Sequence, residues 1–182
     1  MHRPQFLLLL CGGPATGKTS AASALLGALP PGYRVVHIQT DAIRMMVYNR
    51  RHSRRESRMV YEMLRICSQV ALTNGYSVIA DATFTKRRDR QVFAKLAHKA
   101  GSNFLSAKLH CSLRLAMLRN SQRSGSKFVP KEKLISMHNS YEDDAFSLVL
   151  DTGSLKPEAI AHLLLQRLGF ESPESSLGSV SG

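Results

Sequence analysis

The chain has 182 residues, 43% of them hydrophobic, with 25 Lys and Arg against 13 Asp and Glu and a formal charge of +12; the pI is about 10.1. That is enough chain for one well-packed domain and too little for the large mechanical ATPases, and nowhere do about 18 apolar residues run together to make a membrane span. The excess of cations predicts an acidic partner, while three widely spaced cysteines without a C-x-x-C pair argue against a disulfide framework or a zinc site and fit a reducing interior.

FLLLLC, Phe6 to Cys11, is the first element. A secretion signal needs a longer apolar stretch and a small-x-small cleavage site, and this run stops against Gly12-Gly13-Pro14. It is therefore expected to be a buried strand in a cytoplasmic protein. Cys11, Cys67 and Cys111 are each expected to be small buried hydrophobes.

Directly after the strand, Gly12, Gly17, Lys18 and Thr19 fit G-x-x-x-x-G-K-[ST], and TSAASALLGAL, Thr19 to Leu29, supplies the helix that this phosphate loop requires. Glycines let backbone N–H groups turn inward around phosphates, the helix points its positive end at them, and Lys18 reaches the outer pair. Gly12, Gly13, Pro14, Ala15, Thr16, Gly17, Lys18, Thr19 and Ser20 are the predicted nucleotide cradle, with the Thr19 hydroxyl offered to Mg²⁺.

VVHI, Val35 to Ile38, reads as the second strand, and Asp41 follows it. Arg44, Arg50, Arg51, Arg54, Arg55 and Arg58 come next, then apolar residues at helical spacing from Met59 to Ala71. SVIA, Ser77 to Ala80, is the third strand and ends at Asp81, followed by Lys86, Arg87, Arg88 and Arg90 and a helix through Val92 to Ala100. FLSAKLH, Phe104 to His110, and SLVL, Ser147 to Leu150, complete five strands. Strands that read as buried, alternating with amphipathic helices, predict an α/β fold with a parallel five-stranded sheet covered on both faces and ligands at the strands' carboxyl ends.

Phosphoryl transfer to a hydroxyl needs one group to take the proton and another on the metal side. Asp41 is the candidate base and Asp81 the candidate metal acid, directly or through water; the plainer alternative for each is an N-cap. Arg119 and Arg123, four apart, share one helix face and can close over a triphosphate as a lid of about residues 112–130, or they are simply an exposed basic face. Thr152, after the last strand, is a candidate contact for adenine, with a helix entry before Lys156-Pro157 as the alternative. The two arginine-rich clusters form a rim suited to a polyanion, Arg87 and Arg90 included, unless they are only solvated helix surface. Tyr48, Tyr61 and Phe84 are the aromatic residues near them.

GGPATGKTS, TDAIR, VIADATF and RNSQRSGSKFVPKEKLISMHNSY together resemble the small P-loop kinases related to the 5′-hydroxyl kinase domain of phage polynucleotide kinase, from about Phe6 to Thr152. The resemblance implies a P-loop nucleotide-kinase fold with a helical lid, ATP and Mg²⁺, Asp41 as general base, Arg44 on the acceptor's phosphate, Asp81 as the acid after the third strand and Arg123 on the donor phosphates. Ala42 stands where the phage enzyme has a second acid. The expected acceptor is acidic, a single-stranded nucleic-acid end being preferred, with no membrane partner. A small-molecule kinase of the same group, an ATP-switched nucleic-acid binding module and a toxin acting on a cell-wall precursor remain open. One domain over residues 1–170 is expected, with the serine-rich 171–182 as a disordered tail; oligomeric state is not legible.

Overall fold

Every residue of β1 (Phe6–Cys11) is buried, because in the computed structural model this strand lies at the centre of a sheet with helices on both faces. The structure describes residues 4–48 and 53–170. In chain order β1 is followed by α1 (Lys18–Ala28), β2 (Val35–Gln39), α2 (Thr40–Met45), α3 (Arg54–Thr73), β3 (Ser77–Asp81), α4 (Arg87–Lys99), β4 (Asn103–His110), α5 (Leu113–Ser121), a 3₁₀ turn (Gly125–Lys127), α6 (Lys131–His138), β5 (Ser147–Asp151) and α7 (Pro157–Arg167). The sheet order is β2-β3-β1-β4-β5 and every pairing is parallel. The α/β class and all five strands agree with the sequence reading.

Alternation along β1 divides the core in two. Phe6, Leu8 and Leu10 pack with Ala21, Ala22 and Leu25 of α1 and with Ile160, Ala161 and Leu164 of α7. Leu7, Leu9 and Cys11 pack on the other face with Val60 and Leu64 of α3 and Phe93 and Ala97 of α4. A third, small cluster of Cys111, Ala116 and Leu134 joins α5 to α6, so the helical unit expected over residues 112–130 runs on to His138. Cys11 and Cys111 are buried as expected, but Cys67 is exposed: it sits on the solvent side of α3, whose buried positions are Glu56, Val60, Leu64, Ser68 and Leu72. Among the described residues no helix is long and apolar enough to cross a membrane. Arg50, Arg51 and the segment 171–182 lie outside the described residues.

Candidate active site

The phosphate loop is built by steric necessity. Gly12 adopts φ +140°, and a Cβ there would lie 2.2 Å from the Leu109 carbonyl oxygen of β4, so only glycine lets the chain leave β1 this close to its neighbour. Gly17, at φ +86°, is the N-cap of α1 and provides no side-chain cap, which leaves the helix's first N–H groups directed at whatever the loop encloses. Thr16 Oγ1 donates to Gly13 O at 2.9 Å, and Lys18 Nζ donates to Gly12 O and Gly13 O, both at 2.9 Å. Burial pushes the Lys18 ammonium below the usual lysine value, opposed by the negative charges of Asp81 and Asp41 and reinforced by Arg123. Gly12→Ala is expected to destabilise the fold by about 1–3 kcal/mol from backbone strain alone and to lower affinity for an ATP analogue, readable by thermal melting and calorimetric titration.

Two acids stand at the ends of adjoining strands. Asp81 pairs in register with Leu10 on one side and Gln39 on the other, so it stands beside the last turn of chain before the loop, 6% exposed. Asp41, two residues past Gln39, is exposed in the first turn of α2. Neither acid is a cap, since Gln39 occupies the N-cap of α2 and Lys86 that of α4. A partner not anticipated from sequence is His37, with Nε2 3.7 Å from Asp81 Oδ2. His37 pairs with Ile79, two residues before Asp81, and this diagonal contact exists only once strand register is known.

An open cleft of about 600 Å³ lies on the α1–α7 side of the loop, lined by Gly17, Ser20, Arg119, Arg123, Thr152 and Lys156 among others. The structure thus brings Arg119, Arg123 and Thr152 together next to the loop. Arg119 donates through Nη1 to Thr152 Oγ1 and through Nη2 to Thr152 O, both at 2.8 Å, and the Thr152 hydroxyl donates to His110 O at 3.1 Å. Arg119 therefore braces α5 against the end of β5, while Thr152 is in contact distance of any Cβ at Gly17. On the other side of the loop α6 closes down, with His138 Cα 3.8 Å from a Cβ built at Gly13.

Two arginines differ from their expected surroundings. Arg44 Nη1 is 2.8 Å from Glu56 Oε1; Glu56 is 9% exposed, and its own N–H is capped by Ser53 Oγ at 3.1 Å. The guanidinium expected for an acceptor phosphate is thus already paired with a carboxylate on α3, a partner twelve residues away that helical spacing cannot reveal.

Arg90, expected on an acceptor rim, is not on the surface at all. It is completely buried, donating to Asp144 Oδ2 and Phe84 O at 2.6 Å each and to Glu142 O, with its guanidinium 4.4 Å from the Tyr141 ring centroid. Of that basic cluster Lys86, Arg87 and Arg88 are exposed. The Arg87 N–H donates to Glu142 Oε2 at 2.9 Å. Phe84 is also buried and Tyr61 turns inward, its hydroxyl 3.1 Å from Thr83 Oγ1 and accepting from Phe84 N at 3.0 Å; neither is available for stacking.

The described residues contain no cluster of three or more His, Cys, Asp or Glu able to hold a metal. A Mg²⁺ that keeps waters and binds through nucleotide phosphates needs only one or two protein oxygens, and the exposed Thr19 hydroxyl and the Asp81 carboxylate are oxygen donors of the kind it takes.

Known proteins agree with this architecture. A family model described as an AAA domain matches residues 7–143. Among solved structures, the Mycobacterium tuberculosis APS kinase CysC in complex with AMPPNP and APS is 18% identical with a TM-score of 0.70, over 91% of this chain and 99% of that one. A gluconokinase from Sinorhizobium meliloti 1021 is 20% identical with a TM-score of 0.66, over 98% and 99%. The Pnkp1/Rnl/Hen1 RNA repair complex is 20% identical with a TM-score of 0.63, over 77% of this chain and 45% of that one. At these identities the likeness is one of fold. No curated protein sequence matches.

Proposed function

The chain belongs to the family described as an AAA domain, and from that premise we propose that it is an ATP- and Mg²⁺-dependent phosphotransferase whose preferred acceptor is the 5′-hydroxyl of an oligonucleotide. The observation that carries this reading is where the two acids stand: Asp81 ends β3 in register with Leu10 of β1 and Gln39 of β2, and Asp41 lies in the first turn of the helix that follows β2, so both leave the sheet at the edge from which the Lys18 loop springs.

The loop amides and Lys18 hold the donor's phosphates. Asp41 accepts the acceptor's hydroxyl proton as the new O–P bond forms and the bond from the γ-phosphorus to the β-phosphate's bridging oxygen breaks. Thr19 and Asp81 would hold the magnesium ion, which neutralises charge on the phosphates. Arg123 adds positive charge beside the donor, and Arg119, through Thr152, fixes α5 so that the site closes against water.

Three things favour a polyanionic acceptor: the charge of +12, the exposed arginines Arg54, Arg55 and Arg58 that open α3 beside α2, and the RNA repair complex among the structural neighbours. A small-molecule acceptor is the second reading, favoured by the pairing of Arg44 with Glu56 and by the APS kinase and gluconokinase neighbours. Transfer of labelled γ-phosphate to 5′-hydroxyl DNA and RNA, compared with a panel of sugars, nucleosides and alcohols at rising salt, separates the two. Oligonucleotide phosphorylation that weakens steeply with salt is expected; transfer confined to small alcohols, insensitive to salt, refutes the polynucleotide acceptor.

A further inference from the structure

The stretch of chain just after Asp41 is unexpectedly apolar and exposed. Met45 is 67% exposed, Met46 74% and Tyr48 90%, the highest among the large hydrophobic residues described. Asp41 and Met45 are four apart on α2 and both exposed, so they share the helix's open face. The Arg44–Glu56 pair pins this segment to the start of α3, where Arg54, Arg55 and Arg58 are exposed and Met59 is 44% exposed. Apolar side chains flanked by arginines suit a ligand with flat apolar faces strung on a charged backbone. Tyr61 and Phe84 turn into the fold, so of the aromatic residues near the basic clusters only Tyr48 faces solvent.

We propose that Met45, Met46 and Tyr48 form the platform on which the nucleobase nearest the reacting hydroxyl stacks, so that the acceptor is read by the flat face of its first base. This deepens the polynucleotide reading of the same site and rests on it. Stacking on an aromatic ring tolerates any base, and methionines adapt to varied shapes, so the platform supplies affinity and placement for the terminal nucleotide without sequence preference. It also predicts that binding at this position depends on the base rather than on its phosphate, since Arg44 is already paired.

The test is a comparison of 5′-hydroxyl oligonucleotides that carry either a normal or an abasic first nucleotide, with wild type and with Tyr48→Ala and Met45→Ala/Met46→Ala. These side chains are exposed, and thermal melting verifies that the variants fold. In wild type the abasic end is expected to raise KM by about five-fold or more, the low end of what one lost base stack is worth; in the variants that ratio should fall towards one. A ratio near one in wild type, with both acceptors phosphorylated, overturns the platform and leaves the polynucleotide reading standing. A ratio that persists in the variants also overturns it. Transfer to neither acceptor removes the reading and the platform with it. Sedimentation showing a concentration-dependent dimer that Met46→Arg dissolves would assign the surface to self-association instead, and overturn the proposal.

Discussion

Asp41→Asn is expected to lower phosphoryl transfer by about 10²–10⁴-fold, the usual contribution of a positioned general base, while leaving affinity for an ATP analogue close to that of wild type. The substitution keeps the size of the side chain and removes its ability to take a proton. Its structural consequence is small for an identifiable reason: Gln39, not Asp41, is the N-cap of α2, and Asp41 is exposed. What is lost is a first-turn acid's attraction to the helix dipole, about 0.3–1 kcal/mol. Single-turnover transfer, calorimetric titration and thermal melting on one preparation resolve the three quantities. Full transfer in the variant would remove Asp41 from the mechanism. Wild-type protein that binds nucleic acid in an ATP-dependent way, transfers nothing and is indifferent to Asp41→Asn would be a switched binding module.

Arg90→Met should have the largest effect on stability, about 3–5 kcal/mol, because it leaves Asp144 as an unpaired buried charge. Both side chains are completely inaccessible. Arg90 also holds the Phe84 carbonyl at 2.6 Å, and Phe84 adopts φ +44°, a conformation that a bulky residue keeps only when its surroundings enforce it. Immediately before it, Thr83 O accepts from Gly12 N at 3.2 Å. Loosening the Phe84 turn therefore reaches both Asp81 and the phosphate loop, so transfer by the variant should fall even at temperatures where it remains folded. Arg90→Met/Asp144→Leu is expected to recover part of the lost stability, since removing both charges avoids the unpaired one; a double variant no more stable than the single would show that the buried charge is not the cause. Burial by itself would raise the Asp144 carboxyl, but hydrogen bonds from Ser147 and Arg90 outweigh it and hold the group below the usual carboxylate value. Its contribution to stability is therefore complete above the ordinary carboxylate range, near pH 4, and is lost as pH falls through the lowered value. Denaturant melts at descending pH check this.

α7 takes its role from the elements it packs against. The dipeptide Lys156-Pro157 suggested only a helix entry, yet α7 packs its Ile160, Ala161 and Leu164 into the same cluster as α1 and so shapes the donor cleft. Nothing local marks that role, because an apolar stripe on a helix says that a face is buried without saying against what. The five strands and the phosphate loop were legible because they depend on local constraints: continuous apolar runs that only a doubly covered sheet can bury, and glycines whose φ no other residue adopts comfortably. Local pattern is enough for the α/β class, the glycine-rich loop and the two acids that follow the second and third apolar runs, since the chain direction of parallel strands fixes which end faces the ligand. Long-range packing alone pairs Arg44 with Glu56, sets His37 beside Asp81 and makes Arg90 a buried brace and not part of the rim. A charged residue's formula is the same on a surface and in a core, and what separates the two is a partner brought up from a distant part of the chain, as Asp144 is for Arg90 across 54 positions.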